Sequence, residues 1–440
     1  MKEAADTPTF YFFNLGCAKN LVDAQRTAER LLAYGYREAP NPEEADLLVI
    51  TTCAFIEPAE RESVDEILRV ATARADHQIL AVLGCLVSRE NTAELEELLP
   101  EVDIFLKVPD MEKLPEELSK RGLLSPGRPA SRSRKLFTPA HLAYLKIADG
   151  CGNCCSYCLI PSIRGDLRSL PEKDIVAEAQ DLVSLGVREL VVIAQDTASW
   201  GRDLKQGKGL DYLLTSIREK ADPDWLRVMY LHPAHIDPDL MIGLINDEII
   251  LPYLDIPIQH VSGRILKSMG RGYDKSCLEN LFGRLRDEVP GLVLRTTVMA
   301  GYPAETEEEF EQLCDFLEEF EFDYAGVFGY CPEEGTRAFK ISGRVDEDTV
   351  RNRVERISDL QMEISQSRLT ARVGERERVL VDRVIGESED LITAEGRFYG
   401  QCYEVDGMVL LSGGRPGPGS FREVEFDSIQ IYDLYGRLIN

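Results

Sequence analysis

Positive charge is scarce in this 440-residue chain. Its 50 Lys and Arg stand against 77 Asp and Glu, giving a net charge of -27 and a pI near 4.7. Such a balance repels polyanions over most of a surface, so it disfavours a general nucleic-acid binder and favours a basic partner. Long apolar runs are missing as well. Nothing approaches the roughly 20 residues that span a bilayer, so no membrane association is expected. The first residues, MKEAADTPTF, lack the basic and apolar regions of a secretory leader, and a cytoplasmic location is expected. There is no GxxxxGK[ST] phosphate loop and no convincing GxGxxG fingerprint. Histidine is rare, at five residues, and no Ser/His/Asp arrangement stands out. Internal repeats and low-complexity tracts are absent.

Cysteine, by contrast, is plentiful, with eleven residues. Disulfides are disfavoured in a reducing compartment, so clustered cysteines read better as metal ligands or reactive thiols. Cys277, Cys314 and Cys402 lie singly in helical or strand-like patterns and are expected to be packing residues.

Hydrophobic patterning gives an α/β protein in three parts. Over residues 1–121, apolar strands (TFYFFNLG, DLLVITT, HQILAVLG, EVDIFLKV) alternate with amphipathic helices, which predicts a doubly wound parallel sheet. Residues 122–138 are rich in Gly, Pro, Ser and Arg and read as a linker. Six strand patterns in 139–371 (AYLKIAD, ELVVIAQD, RVMYLH, YLDIPIQ, LVLRTTVMAG, YAGVFGY) predict an open or partial α/β barrel, closed off by a long helix from Asp346. Residues 372–440 are strands split by Gly-rich turns, the pattern of a small antiparallel barrel.

Three cysteines occupy equivalent places in the first part. Cys17, Cys53 and Cys85 each follow a predicted parallel strand and precede a helix. Ligands of open α/β sheets bind at that edge, so the three thiols should converge. Three thiolates suit an iron–sulfur cluster with one iron unligated by protein. A zinc site would ask for a fourth ligand or a catalytic water.

Four further cysteines crowd the loop GCGNCCSYCLIPSIRG, which begins at Gly150. Cys151, Cys154, Cys155 and Cys158 fit two templates: a double Cys-x2-Cys zinc knuckle, or Cys-x3-Cys-x2-Cys with Cys154 as bystander. The loop follows the first strand of the predicted barrel, on the face where barrel active sites lie. A zinc knuckle has no reason to prefer that face, and it would need both side chains of the Cys154–Cys155 dipeptide turned to one ion.

The second template resembles that of the radical S-adenosylmethionine enzymes, with Cys151, Cys155 and Cys158 as cluster ligands and Tyr157 as the aromatic. The resemblance implies that the methionine end of the cofactor binds the open iron, that Tyr157 lies near its adenine, and that one-electron cleavage yields a radical able to take hydrogen from an unactivated carbon. A radical domain preceded by a three-cysteine domain and followed by a small TRAM-like barrel resembles one family, the methylthiotransferases, over nearly the whole chain. NLGCAKNLVD, TTCAFIEPAERES, CSYCLIPSIRGDLRS, LDIPIQH, LRTTVMAGYPAETEEEF and YCPEEGTRA resemble the RimO branch, which modifies an aspartate of small-subunit ribosomal protein S-twelve. The other branch modifies an N6-modified adenosine in tRNA. Ala304, Leu170 and Cys331 stand where that pattern usually has glycine, arginine and serine; none is a cluster ligand.

The resemblance implies two [4Fe-4S] clusters and S-adenosyl-L-methionine as cofactors, protein S-twelve (free or on the ribosome) as partner, and a reductant such as flavodoxin or ferredoxin. Residues 375–440 carry 7 basic against 13 acidic residues, net -6, which suits a basic protein better than tRNA. Gln195 and Asp196 end a predicted strand on the active face and are candidates for lining the cofactor or substrate pocket. Asp255, Gln259 and His260 hold a similar place on a later strand. Arg295 is a candidate for gripping the cofactor carboxylate. A zinc-stabilised module that binds RNA or the ribosome is the alternative without redox chemistry.

Overall fold

A computed structural model describes residues 7–123, 135–205, 207–386 and 392–439. Most of the expected linker and the first six residues lie outside these. The chain divides into two compact units: residues 1–138, 149–153 and 158–167, and residues 139–148, 154–157 and 168–440.

The first unit is built on five parallel strands: β1 (Thr9–Asn14), β2 (Arg37–Glu38), β3 (Leu47–Thr52), β4 (Ile79–Gly84) and β5 (Ile104–Lys107). Their order is β2-β1-β3-β4-β5. β3 and β4 are buried throughout because both faces are covered. Leu47, Val49, Ile79, Ala81 and Leu83 pack toward Ala28 and Leu31 of helix Ala18–Ala33. The alternate residues, Leu48, Ile50, Leu80 and Val82, pack toward Ile67 and Val70 of helix Glu57–Ala73. This is the doubly wound sheet expected, with a two-residue edge strand that the alternation was too short to reveal. Two helices follow β4 where one amphipathic stretch runs in the sequence. Helix Cys85–Arg89 breaks at Glu90, and Asn91 caps a second helix, Thr92–Leu98, through the N–H of Ala93.

The second unit contains β6 (Leu142–Lys146), then, beyond the two-residue β7 (Ala148–Asp149) and β8 (Arg168–Ser169), β9 (Glu189–Ile193), β10 (Trp225–Val228), β11 (Tyr253–Asp255), β12 (Val293–Ala300) and β13 (Tyr324–Gly329). Six of them form one parallel sheet, β6-β9-β10-β11-β12-β13, the open partial barrel of the sequence reading. Two helices, Gly263–Met269 and Lys275–Glu288, follow β11. Ser262 and Asp274 cap them, a start signal present in the sequence. Helix Glu347–Thr370 follows β13 and is capped by Asp346.

The last strands, β14 (Arg376–Val384), β15 (Ala394–Arg397), β16 (Val409–Ser412), β17 (Phe421–Gln430) and β18 (Asp433–Leu438), close into a barrel in the order β14-β15-β16-β18-β17. This is the small barrel expected, antiparallel in every pairing but β16 with β18, which is parallel. Cys402 lies in a turn before β16, not in a strand, and is fully buried.

Candidate cluster and cofactor sites

The order β2-β1-β3-β4-β5 reverses direction between β1 and β3, and ligands of open α/β sheets bind in the crevice at such a switch point. Cys17 and Cys53 follow the two strands that flank it, and Cys85 follows β4. Cys17 stands at the N-cap of helix Ala18–Ala33, and Cys85 is the first residue of its own short helix. The approach is tight. Gly84 has φ +107°, and a Cβ there would sit 3.0 Å from the carbonyl oxygen of Thr52. A side chain at 84 would push apart the strand ends that carry Cys53 and Cys85.

The three thiols sense one another. Burial pushes Cys85 up to about 11, with Arg164 opposing and the other two thiols adding to the rise. Burial also raises Cys53, opposed by the Phe55 N–H and reinforced by Cys17. For Cys17, crowding costs the thiolate solvation, but Lys19, Arg164 and the N–H groups of Asn20 and Lys19 outweigh it and bring the thiol below its ordinary value. Among the described residues, no three His, Cys, Asp or Glu side chains are gathered tightly enough to clasp a single ion. A cluster distributes its cysteines over separate irons and so asks for a wider spacing than one ion does. Three soft thiols at adjacent strand ends, with a buried guanidinium at Cys85, fit that donor set.

The cation is Arg164, which the sequence reading passed over. It lies six residues beyond Cys158, and its side chain is 2% exposed. Its Nη2 donates to Asn20 Oδ1 at 2.5 Å and approaches Cys85 Sγ at 3.7 Å. Its Nη1 donates to Asp23 at 2.9 Å and Asp149 at 3.1 Å.

The loop after Asp149 is held at its base. Gly150 has φ +68°, and a Cβ there would fall 2.1 Å from the Asp166 carbonyl oxygen. The Cys151 N–H donates to Gly165, and the Ile160 N–H donates to Cys158 Sγ at 3.4 Å. In the second unit, the Ser156 N–H donates to Met269, and Ser156 Oγ meets the Tyr302 hydroxyl at 2.8 Å. Arg271, also unforeseen, brings Nη1 to 3.6 Å from Cys155 Sγ, while its other nitrogens bind Tyr273 Oη and the Pro257 carbonyl. Cys154 is exposed, and its carbonyl accepts from Arg337. Tyr157 is half-buried against a cluster of Ile265, Met269, Tyr302 and Ala338.

Gln195 and Asp196 lie just beyond β9, at the carboxyl edge of the sheet. Asp196 is buried and paired: His235 Nδ1 lies 2.6 Å from its Oδ2, and the Ser199 hydroxyl donates to it at 2.6 Å. Burial opposes its charge, but those hydrogen bonds hold its carboxyl down to about 2. His232 stacks on His235, with ring centroids 4.8 Å apart. Arg295 meets carboxylates of the chain itself, Asp255 at 3.1 Å and Asp406 at 3.4 Å. His260 is fully buried; its Nδ1 accepts from the N–H groups of Val261 and Ser262, and its Nε2 contacts Glu305. It serves as a structural hydrogen-bonding residue. Of the three cysteines expected to be packing residues, Cys314 and Cys402 are buried and Cys277 is exposed.

Three family models match the chain: Uncharacterized protein family UPF0004 over residues 9–107, the Radical SAM superfamily over 145–317 and the TRAM domain over 373–439. A protein of Aquifex aeolicus named ribosomal protein uS12 methylthiotransferase RimO is 40% identical, over 96% of this chain and 96% of its own. Proteins of the same name from Geobacter sulfurreducens and a Thermotoga species are each 39% identical, over 97% and 96% of this chain and 98% of their own. Among solved structures, the radical S-adenosylmethionine methyltransferase TsrM of Kitasatospora setae shares the fold. It matches with a TM-score of 0.53 at 15% identity, over 76% of this chain and 77% of that one. With these matches running nearly end to end, the chain belongs to the RimO family of methylthiotransferases, within the radical S-adenosylmethionine superfamily.

Proposed function

We propose that this protein adds a methylthio group to the β-carbon of an aspartate in small-subunit ribosomal protein S-twelve, in the cytoplasm, using electrons from a small carrier such as flavodoxin or ferredoxin. The observation that carries the reading is the presence of two separate cysteine triads in one chain: Cys17, Cys53 and Cys85 at a sheet switch point, and Cys151, Cys155 and Cys158 in a loop after the first strand of the partial barrel. We assign one [4Fe-4S] cluster to each triad. The clusters and S-adenosyl-L-methionine supply the electron, the hydrogen-abstracting radical, the sulfur and the methyl group.

The chain's own residues orient and insulate. Gly150 and the Ser156–Tyr302 contact fix the loop. Tyr157, Gln195, Asp196 and Arg295 are assigned to the cofactor, with Asp196 held by His235 and Arg295 held by Asp255.

Substrate choice is supported by charge. Of the seven arginines in residues 375–440, five are already paired: Arg376 with Glu425, Arg378 with Asp224, Arg383 with Glu395, Arg397 with Glu189 and Asp382, and Arg437 with Asp427. A barrel so short of available cations is poorly made for tRNA phosphates and well suited to a basic protein.

The test uses anaerobically reconstituted protein with reductant and S-adenosyl-L-methionine. It is offered a peptide of the S-twelve aspartate loop and, separately, hypomodified tRNA, and mass spectrometry follows methylthio addition. Gain on the peptide alone is expected; gain on tRNA alone would overturn the substrate assignment.

A further inference from the structure

We infer that Arg164 is the counter-ion of the Cys17, Cys53 and Cys85 site and sets the reduction potential of the cluster bound there. The inference rests on the assignment of a cluster to those three cysteines.

Helix Ile160–Arg164 is only five residues long and directly follows the second cysteine loop, yet it delivers its last side chain to the first triad. Leu159 and Ile163 anchor it in the same apolar cluster as Cys85, Leu86 and Val87. The guanidinium is then fixed from several sides. Asn20 and Asp23 lie on the helix that Cys17 caps, Asp149 immediately precedes the Gly150 loop, and Cys85 itself is a triad member. Every group in that list belongs to a segment carrying a cluster cysteine.

Charge explains why a cation stands there. Asp23 and Asp149 are nearly buried and would leave the pocket with two negative charges if Arg164 were absent. Three cysteinates would add to that excess. A buried carboxylate pair beside thiolates is tolerable only with a guanidinium among them. Arg164 also donates toward a ligand sulfur. Net charge and hydrogen bonds to sulfur are two of the levers that set an iron–sulfur potential, and both act here to favour the reduced, more negative state. Arg164 is therefore a positioning residue: it touches a cluster ligand and acts through it.

The sequence offers no direct sign of this. Arg164 stands among other charged residues in IPSIRGDLRS, and only the fold brings it to Cys85.

The test reads a potential, not turnover. In the full chain carrying Cys151→Ala, Cys155→Ala and Cys158→Ala, so that only the first triad is loaded, spectroelectrochemical titration followed by electron paramagnetic resonance gives the midpoint. Arg164→Gln is expected to shift it to more negative values, and Asp23→Asn, which removes a negative charge without removing bulk, to more positive values. Arg164→Lys, which keeps the charge and loses the fork, should fall between wild type and Arg164→Gln. If Arg164→Gln fails to fold, the Asp23→Asn shift decides alone. A loaded cluster whose potential is unchanged in Asp23→Asn, or moves the same way in Asp23→Asn and Arg164→Gln, overturns the role of Arg164 and leaves the triad assignment standing. Failure of the parent triple variant to take up any cluster overturns both.

Discussion

Arg271 holds its Nη1 3.6 Å from Cys155 Sγ, while the neighbouring Cys154 turns its side chain to solvent. The two adjacent cysteines of the loop are thus in different environments. A buried guanidinium stands beside the Cys155 sulfur. Replacing Cys155 by Ala is expected to remove one of the two clusters' worth of iron and sulfide and to abolish cleavage of S-adenosyl-L-methionine. Replacing Cys154 by Ala should leave both clusters in place. Iron and sulfide analysis of the reconstituted variants checks this. Equal loss in both variants would restore the zinc-knuckle template.

Ala304 sits at φ +65°, in the left-handed region, with its N–H on the Gly343 carbonyl and its own carbonyl taken by Arg264. Those two hydrogen bonds hold it there against a conformational cost of roughly 1–2 kcal/mol for a residue with a Cβ. Ala304→Gly removes that cost and gives back part of it as added freedom of the unfolded chain. A net gain of about 0.5–1 kcal/mol is expected, read as a higher urea midpoint with unchanged slope. A lower midpoint would mean that the Ala304 methyl makes a packing contact worth more than the strain.

Much of this architecture was legible beforehand because period and spacing are local signals. β3 and β4 announced themselves as uninterrupted apolar runs, and their cysteines followed at fixed offsets. Helices Gly263–Met269 and Lys275–Glu288 carried readable caps in Ser262 and Asp274, but the Gly-rich stretch between them obscured the signal. The parallel β16–β18 pairing was not legible, since strand direction in a closed barrel depends on which strands meet. Neither were Arg164 and Arg271. A lone arginine in a charged sequence looks like solvated surface until the fold buries it beside a sulfur. The ion pairs of Arg295 were not legible either: Asp255 is its cross-strand neighbour, and a loop 111 residues away supplies Asp406.

His232 gives the protein an acid-side liability. Burial, with Arg271, His235 and Arg202 nearby, pushes it down to about 3 even though Asp196 favours its charge. An unfolded histidine takes up its proton near 6.5. Between pH 6.5 and 3 the unfolded chain therefore binds the extra proton, and this contribution to stability is present above pH 6.5 and is lost as pH falls. The slope is at most ~1.4 kcal/mol per pH unit. Going from pH 6.5 to 5 should cost wild type roughly 2 kcal/mol more than His232→Gln, which cannot titrate. Urea unfolding of both proteins at the two pH values measures the difference. Parallel losses would mean that His232 takes up its proton in the folded state at an ordinary pH.

Glu189 is a fully buried carboxylate shared by two guanidiniums, Arg227 at 2.7 Å and Arg397 at 2.6 Å, with all three side chains at most 2% exposed. Arg397 belongs to β15 of the terminal barrel and Glu189 to β9 of the parallel sheet, so the contact fastens barrel to sheet. Asp382 helps to neutralise Arg397, whereas among the described residues Arg227 pairs with no second carboxylate and meets the Tyr399 carbonyl and the ring of Tyr253. Glu189→Gln keeps the shape and removes the charge, leaving Arg227 buried and uncompensated. Breaking a buried pair in this way costs about 3–5 kcal/mol, far more than the pair adds when both members are present. The expected result is a large fall in the urea midpoint that added salt does not reproduce in wild type, because buried charges are little screened. Arg376→Ala, which breaks an exposed pair with Glu425 in the same barrel, should barely move it. If Glu189→Gln proved as mild as Arg376→Ala, Arg227 would have to be finding water or another acceptor, and the barrel would be held to the sheet by its apolar contacts, such as the Trp225–Phe421 ring pair at 5.0 Å.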